Sequence, residues 1–271
     1  MKTVLVLVTV VLATAASALD FEFIVEEICL QNTTFDGLDC SYENEYVITV
    51  SDLDGVCTYD YGSWVSTFLT EAVDGSRGIC MLPESSGYLF CMNTGTGSSL
   101  ALCDSLGEVV WIPDNPADTM GQGMSWDNFG FIWEIEVNPV PDTGGTLHKI
   151  RLDGDSLITE NSWDLTMGSP YGITAAGGEL YTTVFITDLH GDHIYYFQVT
   201  NSELELIDEM PVPLISSSED TSQDISYSST TEFFYWRTCY DSTEMLVRMS
   251  FECVGSLEQN TFAGIKSSFL Q

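Results

Sequence analysis

The chain has 271 residues, with seven Lys plus Arg against 41 Asp plus Glu and a formal net charge of −34. A polyanion of this strength repels phosphate backbones and anionic lipid surfaces, which excludes nucleic-acid binding and attachment through basic patches. Apolar residues at 44% and aromatics at 12% are too abundant for a disordered acidic tail, so the composition predicts a folded domain.

In chain order, the first predicted element is a leader. Lys2, the apolar stretch that begins at Val4 and the small triplet Ala16-Ser17-Ala18 read as a secretory signal peptide, residues 1–18, with cleavage after Ala18. The apolar stretch is short for a spanning helix and stops at Asp20, and no later run is long enough to cross a bilayer. Residues 19–271 are therefore expected as one secreted, extracellular domain with no membrane span in the mature chain. An exported chain meets an oxidising compartment. Its eight cysteines, Cys29, Cys40, Cys57, Cys80, Cys91, Cys103, Cys239 and Cys253, are expected in disulfides of open connectivity. Cys80 and Cys91 lie on consecutive strand-like runs and could face each other across a hairpin. Asn32-Thr33-Thr34 is the single glycosylation sequon, marking Asn32 as the acceptor of a glycoprotein.

Short alternating apolar and aromatic runs, parted by Gly, Asn, Asp and Ser clusters, fill the remainder, which makes the class all-β. One layout of short strands and turns recurs five times, starting at Asp39, Gly78, Gly123, Gly172 and Asp224. This is the signature of a β-propeller, and it predicts five blades of four antiparallel strands. The run FEFIVEEICL precedes the first repeat and TFAGIKSSFLQ follows the last, so one of them should complete a blade at the opposite end and lock the ring. Six blades closed by both termini is the alternative, and a β-sandwich of the same strands is the plainer one.

Polar residues at the starts of innermost propeller strands line the central channel. Asp39, Gln122, Gln223 and Asp224, with Arg77, are the channel candidates, and Asp39 with Asp224 could hold a calcium ion. The plainer reading has both acids ending strands and accepting from turn amides. Asp188, His190, Asp192 and His193 form the densest metal-like cluster, of a kind suited to zinc or copper, but they fall in a predicted turn. The histidines are His148, His190 and His193, and none stands beside a Ser or Cys in a nucleophile-elbow context, so the sequence makes no case for a catalytic triad. Trp64, Trp126, Trp163 and Trp236 recur in different repeats, a pattern that fits interblade packing better than a lectin rim.

From Tyr61-Gly62-Ser63-Trp64 onward, the order of runs is similar to the olfactomedin domain. The residues that carry it are Trp126-Asp127-Asn128-Phe129-Gly130-Phe131-Ile132-Trp133, Gly178-Glu179-Leu180-Tyr181-Thr182, Tyr195-Tyr196-Phe197, Met210-Pro211-Val212-Pro213 and Ile225-Ser226-Tyr227. The resemblance implies a secreted five-bladed propeller that binds other extracellular proteins. It places the family's metal-ligand positions near Gly123, Gly172 and Ser226, with Asp224 close by. The expected function is an extracellular interaction or adhesion module whose partners are proteins or glycans, cationic or bridged by cations. A calcium-dependent hydrolase or lactonase, or a propeller lectin, is the alternative.

Overall fold

A computed structural model describes residues 20–30, 37–40, 47–51, 55–60, 63–68, 77–83, 86, 88, 90–93, 100–104, 108–111, 120–140, 142–154, 156–178, 180–212, 221–228, 231–240 and 243–254. The predicted leader, Asn32 and the C-terminal run TFAGIKSSFLQ lie outside these residues. Twenty strands are found among them, in five four-stranded antiparallel sheets. Blade one is β2 (Gly37–Cys40), β3 (Val47–Ser51), β4 (Gly55–Asp60) and β5 (Ser63–Phe68), described by its backbone alone. Blade two is β6 (Ile79–Met81), β7 (Phe90–Asn93), β8 (Leu100–Cys103) and β9 (Val109–Trp111). Blade three is β10 (Met120–Trp126), β11 (Phe131–Val137), β12 (Gly145–Asp153) and β13 (Ser156–Leu165). Blade four is β14 (Pro170–Gly177), β15 (Thr182–Asp188), β16 (His193–Val199) and β17 (Leu204–Pro211).

The fifth sheet joins the two ends of the chain. β18 (Thr221–Ser228), β19 (Phe233–Tyr240) and β20 (Thr243–Val254) are followed in space by β1 (Asp20–Leu30), which pairs antiparallel with β20 from Asp20↔Val254 to Leu30↔Met245. The N-terminal run is thus the closing strand. Its alternation puts Phe21 and Phe23 inward, where Phe23 meets Phe234 edge-on at 5.1 Å and Phe21 stacks on Phe251 at 5.3 Å. Innermost strands touch in the order β2, β6, β10, β14, β18 and back to β2, which closes the ring.

Cores lie between blades. One cluster packs Trp133, Ile135 and Leu147 of blade three against Ile173, Val184 and Ile186 of blade four, and another packs Cys80, Cys91 and Leu102 of blade two against Ile132 and Ile150 of blade three. Blade three therefore buries both faces, one toward each neighbour, which is why its strand runs carry apolar residues at successive positions. Trp236 is fully buried in a cluster that spans blades four and five, and Trp163 and Trp126 pack at the edges of the interblade clusters on the two faces of blade three, while the side chain of Trp64 lies outside the described residues.

The cysteine expectation is corrected at four positions: Cys80, Cys91, Cys103 and Cys239 carry thiols. Cys80 and Cys91 do stand opposite each other in register, as the hairpin reading expects. Cys103 pairs with Phe90 while Cys91 pairs with Leu102, so the two thiols leave opposite faces of the sheet and cannot bridge. Burial, with Cys91 and Asp104 nearby, pushes the Cys103 thiol up to about 12. The side chains of Cys29, Cys40, Cys57 and Cys253 lie outside the described residues. No described helix is long and apolar enough to cross a membrane.

Candidate functional site

Of the channel candidates, Gln122, Gln223 and Asp224 sit at bulges, Asp39 pairs in regular register with Ile48, and Arg77 lies just before β6. Pairing between the first two strands shifts between Gly121 and Met124 in blade three, between Pro170 and Ile173 in blade four, and between Ser222 and Ile225 in blade five. The extra residues are Gln122-Gly123, Tyr171-Gly172 and Gln223-Asp224, and the last member of each pair is one of the repeat starts read from the sequence. A bulge bends the strand inward. Backbones then approach so closely that a Cβ on Gly78 would strike the carbonyl oxygen of Gln122, and one on Gly172 would strike Asp224 Cα.

Hydrogen bonds stitch this ring from blade to blade. The Asn93 carbonyl accepts from the amides of Arg77 and Gly78, both at 2.9 Å, while its amide group donates to the Gln122 carbonyl at 2.7 Å. Thr187 repeats the device, accepting from Gly172 N at 2.8 Å and donating to the Gln223 carbonyl. Asp224 Oδ1 accepts from Ile225 N at 2.9 Å and from Ile173 N of blade four at 3.2 Å. Further along the same innermost strands, Ser125 Oγ accepts from Ala175 N and Thr174 Oγ1 accepts from Tyr227 N, at equivalent positions of successive blades. Asp224 thus serves as an interblade latch, placed inside its strand at a bulge and bound to strand amides rather than to the turn amides that the plainer reading expected. The side chain of Asp39 lies outside the described residues. Gln122 is buried, and its side-chain oxygen Oε1 has no hydrogen-bond partner among the described residues.

The turn cluster is not assembled as a metal site. Asp188 Oδ1 accepts from the amides of Ser169 and His190, Asp192 pairs with His193 at 2.6 Å, and among the described residues no three His, Cys, Asp or Glu side chains converge as a metal would require. The amides claim Asp188 because the turn leaves them without ladder partners.

Two constellations that the sequence reading missed occupy the faces of blade three. Toward blade four, a cleft of about 120 Å³ is lined by Trp133, Lys149, Tyr181, Thr182, Thr200 and Asn201. Asp127 orients its inner wall: Oδ1 accepts from Phe129 N and Phe131 N, and Oδ2 accepts from Trp133 Nε1 at 2.8 Å. Burial pushes the Asp127 carboxyl above the usual range, opposed by these donors and by Lys149. The Lys149 ammonium lies 3.8 Å from the centre of the Phe131 ring and 5.4 Å from that of Trp133. Arg151 is paired with Asp153 and Glu160, and Arg248 with Glu27, whereas Lys149 has no ion-pair partner among the described residues. Phe129, 48% exposed, and Leu180, 84% exposed, stand on the two hairpins that flank the cleft. Asn128 Oδ1, accepting from Gly177 N at 2.8 Å, ties those hairpins together. Toward blade two, Glu136, His148 and Ser162 form a hydrogen-bonded row across β11, β12 and β13. Strand pairing brings these three side chains together from positions 12 and 14 residues from the histidine, a juxtaposition that local sequence spacing does not display.

No protein-family model matches the sequence, and no curated protein matches it. By structure the chain is similar to the glutaminyl cyclase of Myxococcus xanthus, with a TM-score of 0.58 and 10% identity over 88% of this chain and 100% of that one. It is also similar to the hydrazine synthase of Kuenenia stuttgartiensis, with a TM-score of 0.52 and 6% identity over 87% of this chain and 66% of that one. A streptogramin B lyase aligns at a TM-score of 0.45 and 16% identity over 87% of this chain and 74% of that one. At such identities the likeness carries the propeller fold and not an olfactomedin assignment.

Proposed function

We propose that this chain is a secreted, extracellular interaction module that grips a partner protein at the seam of blades three and four. The observation that carries the reading is the cleft in which Lys149, a cation with no ion pair among the described residues, lies between flanking exposed Phe129 and Leu180. An exposed aromatic and an exposed leucine beside a polar cleft have the make-up of an interface anchor with its rim. The surrounding −34 charge selects a basic partner surface, and the single ammonium selects a carboxylate within it. The partner is thus a basic protein that seats one Asp or Glu side chain on Lys149. Glycosylation of this chain at Asn32 and its export are parts of the same reading.

The test uses arrayed Arg-rich and Lys-rich peptides with one central Glu, each matched to a Gln version, probed with the labelled chain from residue 19 onward. Glu peptides should be retained, and Lys149→Met should weaken them at least tenfold without changing the Gln series. Retention that ignores both the Glu and Lys149 would remove the cleft from the reading. Binding to arrayed sugars but no peptide would replace the protein partner with a glycan. Expression in a secretory host with N-terminal sequencing of the medium should return Leu19, and retention of Met1 would contradict export.

A further inference from the structure

The opposite face of blade three carries chemistry that partner binding does not use. Glu134 and Glu136 of β11, His148 of β12 and Ser162 of β13 share the face that turns toward blade two, as strand alternation requires of positions two apart. The pairing sets Glu134 and Ser162 directly opposite His148, with Glu136 one step along the diagonal. His148 Nε2 lies 2.9 Å from Glu136 Oε2, and His148 Nδ1 lies 2.9 Å from Ser162 Oγ.

For a neutral imidazole, these two contacts assign the ring proton. An ionised carboxylate only accepts, so Nε2 carries the hydrogen and donates it to Glu136. Nδ1 is left with a lone pair and accepts from the Ser162 hydroxyl. The imidazole is 7% exposed, whereas Ser162 is exposed, so the base is shielded and the oxygen it faces is open to an incoming molecule. Next to Ser162 the β12–β13 register shifts between Lys149 and Ile150, and the Ser162 amide turns to the Asn161 side-chain oxygen at 2.9 Å, which anchors the serine backbone. A hydroxyl, a base and a carboxylate that orients the base are the parts of an activated nucleophile, recognised by geometry and roles rather than by sequence order.

We infer that Ser162, His148 and Glu136 form a nucleophilic site that hydrolyses carboxylic esters of small acyl groups. Ser162 Oγ attacks the ester carbonyl carbon while its proton passes to His148 Nδ1, and Glu136 holds the ring and its new charge. The bond from the acyl carbon to the alkoxy oxygen breaks, and the departing alkoxide takes the proton from Nδ1, leaving acyl-serine and free alcohol. Water then attacks the acyl carbon and gives one proton to Nδ1. The bond to Oγ breaks, Oγ recovers that proton, and the carboxylic acid leaves. Ser162 stands exposed on the outermost strand of its blade, where a short acyl group can react without a deep pocket to bury it.

A fluorophosphonate probe on the chain, followed by peptide mass spectrometry, tests the assignment together with turnover of p-nitrophenyl acetate. Label should sit on Ser162 and be absent from Ser162→Ala, and His148→Gln should lower both labelling and turnover by about 100-fold, the usual scale of a lost general base. Glu136→Gln keeps the shape of the carboxylate but not its charge. As a positioning residue it should lower the labelling rate and shift its pH profile, which a purely structural glutamate would leave in place. In Ser162→Cys, iodoacetamide should react faster than in the same variant with His148→Gln, a comparison that does not depend on ester turnover. Label on another serine, ester turnover unchanged in Ser162→Ala, or equal alkylation of the two cysteine variants would each overturn the inference.

Discussion

Blade three has two faces made by the same three strands, and they differ in kind. Toward blade four stand Phe131, Trp133, Leu147, Lys149 and Trp163; toward blade two, beyond the apolar Ile132 and Ile150, stand Glu134, Glu136, His148 and Ser162. The first face spends its area on aromatic packing and leaves one cation at the edge. The second spends part of its area on hydrogen bonds. Because side chains alternate along a strand, a run such as Trp133-Glu134-Ile135-Glu136 writes both faces at once, and a one-residue slip would exchange them. The bulge between Asn161 and Thr159 in β13 makes this exchange local: it keeps Ser162 beside His148 while Leu157 returns to the core beyond it.

Breaking the aromatic face should have the largest effect. Trp133→Ala empties a fully buried site and removes the indole that Asp127 holds, at a cost of about 3–5 kcal/mol in urea unfolding. Ser162→Ala on the other face should cost about 1 kcal/mol or less, since the hydroxyl it deletes is exposed to water. Equal losses would show that the two faces do not divide stability in this way.

Asp127→Asn should come next, with a loss of about 1–3 kcal/mol, because the amide would present a donor where Trp133 Nε1 needs an acceptor. The effect should also depend on pH. Burial raises the folded pKa of Asp127, so the native state holds this proton more tightly than the unfolded chain. That stabilisation is present below the ordinary carboxylate pKa and is lost as pH rises through the raised folded value. Thermal melts across about pH 3 to 7 should therefore show the gap between native protein and Asp127→Asn shrinking as pH rises, the direction set by desolvation. A gap that widens would mean that the donors around the carboxylate outweigh its burial.

The smallest effect is expected at the cleft. Lys149→Met retains the stem that covers Phe131 and loses the ammonium over the ring, a change of about 0.5–1 kcal/mol in the thermal melt. A larger loss would make Lys149 a structural residue of the seam rather than a group kept for a partner.

Strand runs and the five repeat starts were legible because periodicity and turn chemistry are local. Gly123, Gly172 and Asp224 were marked as starts from the layout alone, and each is the second residue of a bulge pressed against a neighbouring blade. That Asp224 would accept from amides was legible, but that one of them belongs to Ile173 of the neighbouring blade was not. Asn93 and Thr187, which stitch the blades, were not: an Asn at the end of one strand carries no local mark that its partner is the Gln122 carbonyl, 29 residues away. The Ser162, His148 and Glu136 row was hidden for a related reason. Its spacing follows from two hairpin registers and a bulge, and the bulge shifts the count by one at the position that decides which face Ser162 takes.

By itself the sequence determined the class, the repeat, the polyanionic surface and the closing role of an end strand, since these depend on composition, alternation and turn residues that act within a few positions. Which terminus closes the ring, which face of blade three is aromatic against which neighbour, and which polar groups meet were decided by tertiary structure. Those choices rest on register and on contacts between residues tens of positions apart, such as Phe23 with Phe234 and Thr174 with Tyr227, and chain-local preference is blind to energies that exist only after blades pack.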